Sequence, residues 1–243
     1  MSIPHLSYNP KLELHLPVKA RSATTQEPSE PDWLSNIRSF RARVLWSRGR
    51  RPAFRTADGR FVDADTHDTS AYHLVLREPA RGDILACVRC APLERLRSSR
   101  VRSLAPEAAS QLLRGAEISD SDVLEGARLV VEPTWQRSGL GSRLLVAETA
   151  LAQLLGRRLV WGTMGCRQGQ DRFFAKFGRT PLGEQRFTLP QYDDEVVIMI
   201  GRPEQVPSHL EGAVASARAE LRSCFDKHVT SLAQPSTTEI TGH

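Results

Sequence analysis

Residues 127–141 read Ala-Arg-Leu-Val-Val-Glu-Pro-Thr-Trp-Gln-Arg-Ser-Gly-Leu-Gly. The opening Ala127–Val131 is apolar and β-branched, a composition that fits a strand. Glu132-Pro133-Thr134-Trp135 breaks it, because proline offers no ladder donor. Gln136-Arg137-Ser138-Gly139-Leu140-Gly141 then has the spacing Q-x-x-G-x-G. From Leu140, leucines and alanines recur at helical spacing through Leu155, and Gly156 supplies a stop. Leu159–Thr163 reads as the next strand. A glycine loop between a strand and a helix start aims backbone N–H groups at one point. The helix N-terminus already carries unpaired donors and partial positive charge there. The glycines admit a close-approaching group, so the motif predicts a phosphate site.

In this setting the motif resembles the pyrophosphate-loop signature [QR]-x-x-G-x-[GA] of the GNAT superfamily of N-acyltransferases, matched by Gln136, Gly139 and Gly141. Phe173-Phe174-Ala175-Lys176-Phe177-Gly178 resembles a later GNAT helix that ends in an aromatic-glycine pair. The resemblance implies an α+β fold, an α/β/α sandwich with a mixed, mostly antiparallel central sheet flanked by helices. It also implies that Gln136, Arg137, Ser138, Gly139, Leu140, Gly141 and Ser142 hold the diphosphate of an acyl donor. Leu129, Val130 and Val131 would pair with its pantetheine arm.

Upstream lies Asp63-Ala64-Asp65-Thr66-His67-Asp68, three carboxylates in six residues. Arg89 follows near the end of a second strand, and Glu125 with Arg128 sits before the glycine loop. This set resembles the acyl-homoserine-lactone synthases and the related N-acyl amino acid synthases within the GNAT fold. Their [ED]-x-D-x-x-D segment maps onto Asp63, Asp65 and Asp68. Their strand-end arginine maps onto Arg89 and their E-x-x-R pair onto Glu125 and Arg128. Arg41 with Val44-Leu45 resembles the R-x-x-x-F of the N-terminal helix without its phenylalanine. The lactone synthases lack a well-formed glycine loop and open the acidic segment with Glu. Thr69-Ser70 and His73 are closer to the N-acyl amino acid synthases. The resemblance therefore implies transfer of a fatty acyl group to an amino acid or similar amine. Alternatives are an acetyl-CoA-dependent N-acetyltransferase, a lactone synthase, or a catalytically silent acyl-carrier-binding fold. The cosubstrate would be acyl-CoA or acyl-acyl carrier protein, with no permanently bound cofactor.

Amide formation from a thioester needs a proton acceptor and an oxyanion donor. Glu125 is the expected base and Arg128 its catalytic companion. In an unbroken strand the two point to opposite faces, so a β-bulge between them is expected. Asp63, Asp65, Asp68 and Arg89 are expected to bind the acceptor or brace the site. Trp161, Thr163 and Phe173, with Met164 and Phe177, are the candidate lining for the acyl chain. Thr163 and Tyr192 are candidate acids for the leaving thiolate.

Bulk properties agree with a soluble enzyme. The 243 residues are 40% hydrophobic and 25% charged. No run nears the roughly 20 apolar residues of a membrane span. Four scattered cysteines do not make a disulfide scaffold, and Cys87-x-x-Cys90 within one strand does not make a zinc site. No metal is expected, and the expected compartment is the cytoplasm. The net charge of +5 is carried mostly by arginine. Arg41, Arg43, Arg48, Arg50, Arg51 and Arg55, and separately Arg95, Arg97, Arg100 and Arg102, form two clusters. These read as a docking face for an acidic partner such as acyl carrier protein. They lack interleaved aromatics, which argues against nucleic acid. The expected layout is an irregular arm over 1–31, an acyltransferase domain over 32–202, a helical segment over 203–233 and a disordered tail over 234–243.

Overall fold

Val123–Val131 becomes the strand around which the chain is organised, and it is called β4 below. The computed structural model describes residues 9–18, 30–49, 51–166, 169–189 and 194–233. Within these, the strands are β1 (Lys11–His15), β2 (Tyr72–Arg77), β3 (Ile84–Pro92), β4, β5 (Leu159–Gly165), β6 (Thr180–Pro181), β7 (Phe187–Thr188) and β8 (Glu195–Gly201). They form one sheet in the order β1-β2-β3-β4-β5-β8-β6, with β7 also on β8. Only β4 and β5 run parallel; every other pairing is antiparallel.

The helices are α1 (Asp32–Ser47), α2 (Arg100–Leu104), α3 (Pro106–Gly115), α4 (Leu140–Leu154), α5 (Gln170–Ala175) and α6 (Glu211–Ala233). Alternation along the strands sorts the core into two layers. Leu74, Leu76, Val88, Cys90, Leu124 and Val160 pack under α4 and α6. On the other face, Val75, Cys87 and Val130 pack against α1. Leu159, Trp161 and Ile198 pack with Val101 of α2 and Leu113 of α3. The sheet is therefore sandwiched, as the α/β/α expectation required.

One local expectation changes. The N-terminal arm is not wholly irregular: Lys11–His15 pairs with β2 from Lys11↔Arg77 to His15↔His73. Its Leu12 and Leu14 are buried, so alternation anchors a segment whose prolines lie outside the strand. The N-cap of α1 is Pro31, and Asp32 stands in the first turn. Residues 167–168 and 234–243, and Tyr192, lie outside the described residues. The expected disordered tail and the candidate acid Tyr192 fall there. No helix among the described residues is long and apolar enough to cross a membrane.

Candidate active site

β4 and β5 pair only from Val123↔Leu159 to Gly126↔Gly162. Beyond that rung β4 continues to Val131 and β5 to Gly165, while β8 pairs with the other edge of β5 from Val160 to Gly165. The two parallel neighbours thus open into a split with its apex at Gly126 and Gly162. The glycine loop closes the wide end. Gly139 caps α4 with φ +88°, a left-handed conformation that glycine adopts without steric cost. Gln136 to Gly139 lie at the surface, and Arg137 is also left-handed. A Cβ on Gly141 would lie 3.7 Å from Val131 Cγ2 and 3.6 Å from Phe173 Cζ. The start of α4, the end of β4 and the Phe173 ring therefore meet at one place.

Strand alternation decides which amides face the split. Glu132 donates its N–H to Leu85 O on the β3 side at 2.8 Å. Alternation then turns the N–H of Val130 toward β3 and those of Leu129 and Val131 toward the split. Val130 accordingly stands opposite Cys87, with its side chain in the α1 layer. Of the three residues expected to pair with the donor arm, Leu129 and Val131 turn their amides to the split and Val130 turns its amide to β3.

The expected bulge is present. Cys87 stands opposite Val130 and Arg89 opposite Ala127, so β4 carries one more residue than β3. Arg128 occupies the extra position with φ +58°. The bulge places Arg128 on the α1 face with Glu125, while Leu129 packs on the α4 side.

On that face four arginines and three aspartates interlock. Arg128 Nε donates to Asp63 Oδ2 at 2.9 Å and its NH2 to Asp65 Oδ2 at 3.1 Å. Arg89 NH1 reaches Asp65 Oδ2 at 2.7 Å and Asp68 Oδ1 at 3.2 Å. Arg41 grips Asp68 through NH1 at 3.0 Å and NH2 at 2.6 Å, and Asp63 through Nε at 3.0 Å. Arg38 Nε adds a contact to Asp68 Oδ2 at 2.9 Å. Burial works to raise the Asp68 pKa, but Arg41 and Arg89 outweigh it and hold the carboxyl at about 2. Asp65 is likewise lowered, against its burial, by Arg89 and Arg128. Buried His73 is pushed down to about 4, mainly by desolvation, so it is neutral and its Nε2–H donates to Asp68 O at 2.9 Å.

Glu125 is brought to the same face but not into this network. It is 5% exposed. Its Oε2 accepts from Ser99 Oγ at 2.5 Å and from Trp161 Nε1 at 3.1 Å, and its Oε1 from the Arg100 N–H at 3.2 Å. The arginine–aspartate cluster therefore does not fix Glu125 directly; Ser99, at the N-cap of α2, and Trp161 do. Trp161 also departs from expectation. It lies in the α2–α3 layer, whereas Phe173, Phe177 and Met164 pack with Leu145, Phe174 and Met199 on the α4 side. Thr163 follows Trp161 by two residues and is half-buried.

The first arginine cluster is not a docking face as a whole. Arg41 is fully buried on Asp63 and Asp68, and Arg43 pairs with Glu132. Arg55 lies over Trp46 and Phe61, and Arg50 lies outside the described residues. Arg38 and Arg41, one helical turn apart, could have been read as one face aimed at the acidic segment. Ser99 carried no comparable signal. Neither did Glu148, which is buried against Arg179 at 2.9 Å on the α4 side. Burial raises the Glu148 pKa and Arg179 opposes it.

The model for the acetyltransferase (GNAT) domain matches residues 44–146. The match spans the acidic segment, the bulged strand and the first turns of α4. The sheet and its helices extend on both sides of it. TofI, solved in a ternary complex with an inhibitor and MTA, superposes with a TM-score of 0.59 at 17% identity, over 86% of this chain and 99% of TofI. The CoA-dependent acyl-homoserine lactone synthase BjaI gives 0.60 at 17% identity, over 87% of this chain and 90% of BjaI. FeeM, an N-acyl amino acid synthase from uncultured soil microbes, gives 0.55 at 11% identity, over 81% of this chain and 93% of FeeM. At these identities the likeness is one of fold. No curated protein matches the chain by sequence.

Proposed function

We propose that this chain transfers an acyl group from a pantetheine thioester, carried by coenzyme A or acyl carrier protein, to the amine of an amino acid or similarly small molecule. The reading rests on one observation. The split between β4 and β5 leads from the glycine loop to an apex whose opposite face holds Glu125 and the arginine–aspartate cluster.

In this reading the diphosphate sits at the start of α4, and the arm runs into the split as an added strand against the Leu129 and Val131 amides. The amine attacks the thioester carbonyl. The C–N bond forms, the C–S bond breaks and the sulfur leaves as a thiolate. The proton lost from nitrogen goes to Glu125, directly or through one water. A carboxylate offers about four acceptor positions, and Glu125 uses three, which leaves one on Oε1 for that proton. Arg128, at the accessible edge of its cluster, is placed to hold an acceptor carboxylate.

The test is free-thiol release from a panel of thioesters against the common amino acids. BjaI has been solved with SAM and isopentyl-CoA, so both belong in the panel. Glu125→Gln should lower kcat by about 10²–10³-fold with donor affinity unchanged and a melting transition near the parent's. Full turnover in that variant removes Glu125 as the base.

A further inference from the structure

The split has a definite depth. Val131, beside the start of α4, lies five residues from Gly126 at the apex, roughly 16 Å of extended strand. An extended pantetheine arm spans about a dozen bonds between phosphate and sulfur, roughly 15 Å. A donor seated at the α4 N-terminus therefore delivers its sulfur at the Gly126–Gly162 rung, and the acyl group must fit just past it.

The surroundings of that rung are occupied on both faces. On the α2–α3 face stand Glu125 and the fully buried Trp161 that donates to it. On the α4 face stands a charged pair that the proposed chemistry does not use. Glu148 Oε1 lies 2.1 Å from the place a Cβ on Gly126 would take. Its Oε2 accepts from Arg179 NH2 at 2.9 Å, and both side chains are buried. Arg179 in turn lies flat over β8, where a Cβ on Gly201 would meet its Cδ at 2.6 Å. Two strands thus dispense with a side chain at the positions these two charges cover. The apolar lining on this face, Leu129, Met164, Phe173 and Phe177, belongs to the Leu145–Met199 cluster rather than to a channel running past the pair.

We propose that Glu148 and Arg179 form the floor of the acyl site and restrict the transferred group to short chains, in the range of acetyl to butyryl. The inference rests on the transferase reading and names its donor class. Each methylene that enters an apolar site gains about 0.8 kcal/mol, whereas separating a buried ion pair costs about 3–5 kcal/mol. An alkyl chain that parts the pair meets the packed core around Leu144, Ala147 and Leu151, so its further methylenes find no space to enter and the cost of separation stands. Nothing in the thioester chemistry itself requires a buried charge on the α4 face. A core position there would otherwise take leucine, as Leu144 and Leu151 do on the same helix.

The experiment compares acetyl-, butyryl-, octanoyl- and dodecanoyl-CoA in two measurements, thiol release with a saturating mixture of amines and binding by calorimetry without acceptor. The parent should favour the short thioesters over dodecanoyl-CoA by at least about 100-fold in kcat/KM, in line with a loss of about 3 kcal/mol. The double variant Glu148→Leu/Arg179→Met replaces both charges by apolar groups of similar size, a change that buried pairs tolerate. It should raise the dodecanoyl-to-acetyl ratio in kcat/KM at least tenfold. A parent that uses dodecanoyl-CoA as well as acetyl-CoA overturns the proposal. So does a folded double variant with the parent's chain-length profile. If no thioester releases thiol, the transferase reading fails on its own. The calorimetric ranking of the four donors then decides the floor, and equal affinity for short and long chains rejects it.

Discussion

Replacing Asp68 by asparagine tests the charge cluster at its centre. The Asp68 side chain is fully buried and accepts from Arg38, Arg41 and Arg89. A carboxyl held at about 2 in the folded chain, against an ordinary 3.8, contributes about 2 kcal/mol at neutral pH, at about 1.36 kcal/mol per tenfold change in proton affinity. The folded pKa is the lower one, so the contribution is present above pH ~4 and is lost as pH falls from there toward 2. Asp65 shifts in the same direction and steepens the same acid limb. Asparagine does more than remove the titration. It places a donor amide among three guanidinium groups, and breaking a buried pair from one side costs about 3–5 kcal/mol. Urea unfolding at pH 7 should show Asp68→Asn less stable by that amount. A series from pH 6 to pH 3 should show the variant losing less stability on acidification than the parent. A variant within 1 kcal/mol of the parent, or a parent whose stability is flat across that range, would refute the claim that this cluster is a paired, folded-state network.

Gly126→Ala puts a methyl 2.1 Å from Glu148 Oε1, so it should cost about 1–3 kcal/mol in urea unfolding. An alanine variant as stable as the parent would mean that Glu148 does not lie on the apex. Burial pushes the Cys87 thiol up to about 12 and raises Cys90 as well. Ellman's reagent on the native protein should therefore titrate Cys166 and Cys224 but reach Cys87 and Cys90 only after unfolding. Rapid reaction of all four thiols would contradict that.

The elements legible in the sequence are those whose pattern is local. β4 announced itself through a β-branched run ended by Pro133, and α4 through leucines at helical spacing behind a glycine loop. The bulge was legible too, because Glu125 and Arg128 share a face only if the strand takes an extra residue between them. What stayed hidden is set by distant pairing. Ser99 and Trp161 lie 26 and 36 residues from the carboxylate they hold, and no periodicity links them. Trp161 and Phe173 share hydrophobicity, but Trp161 on β5 faces the α2–α3 layer while Phe173 on α5 packs on the α4 side. Arg41 looked like surface charge because arginine usually is; its carboxylate partners lie more than 20 residues on. The β1 strand was masked by the prolines around it, although Leu12 and Leu14 alternate with charged neighbours.

Arg128 does two jobs that most proteins give to separate residues. Its backbone takes a left-handed turn that a non-glycine residue adopts only at some steric expense. Its side chain is clamped by Asp63 and Asp65. The clamp holds the kink, and the kink sets the direction of the neighbouring amides at Leu129 and Val131. One residue thus ties the ion pairs on one face of the sheet to the direction of the amides along its edge.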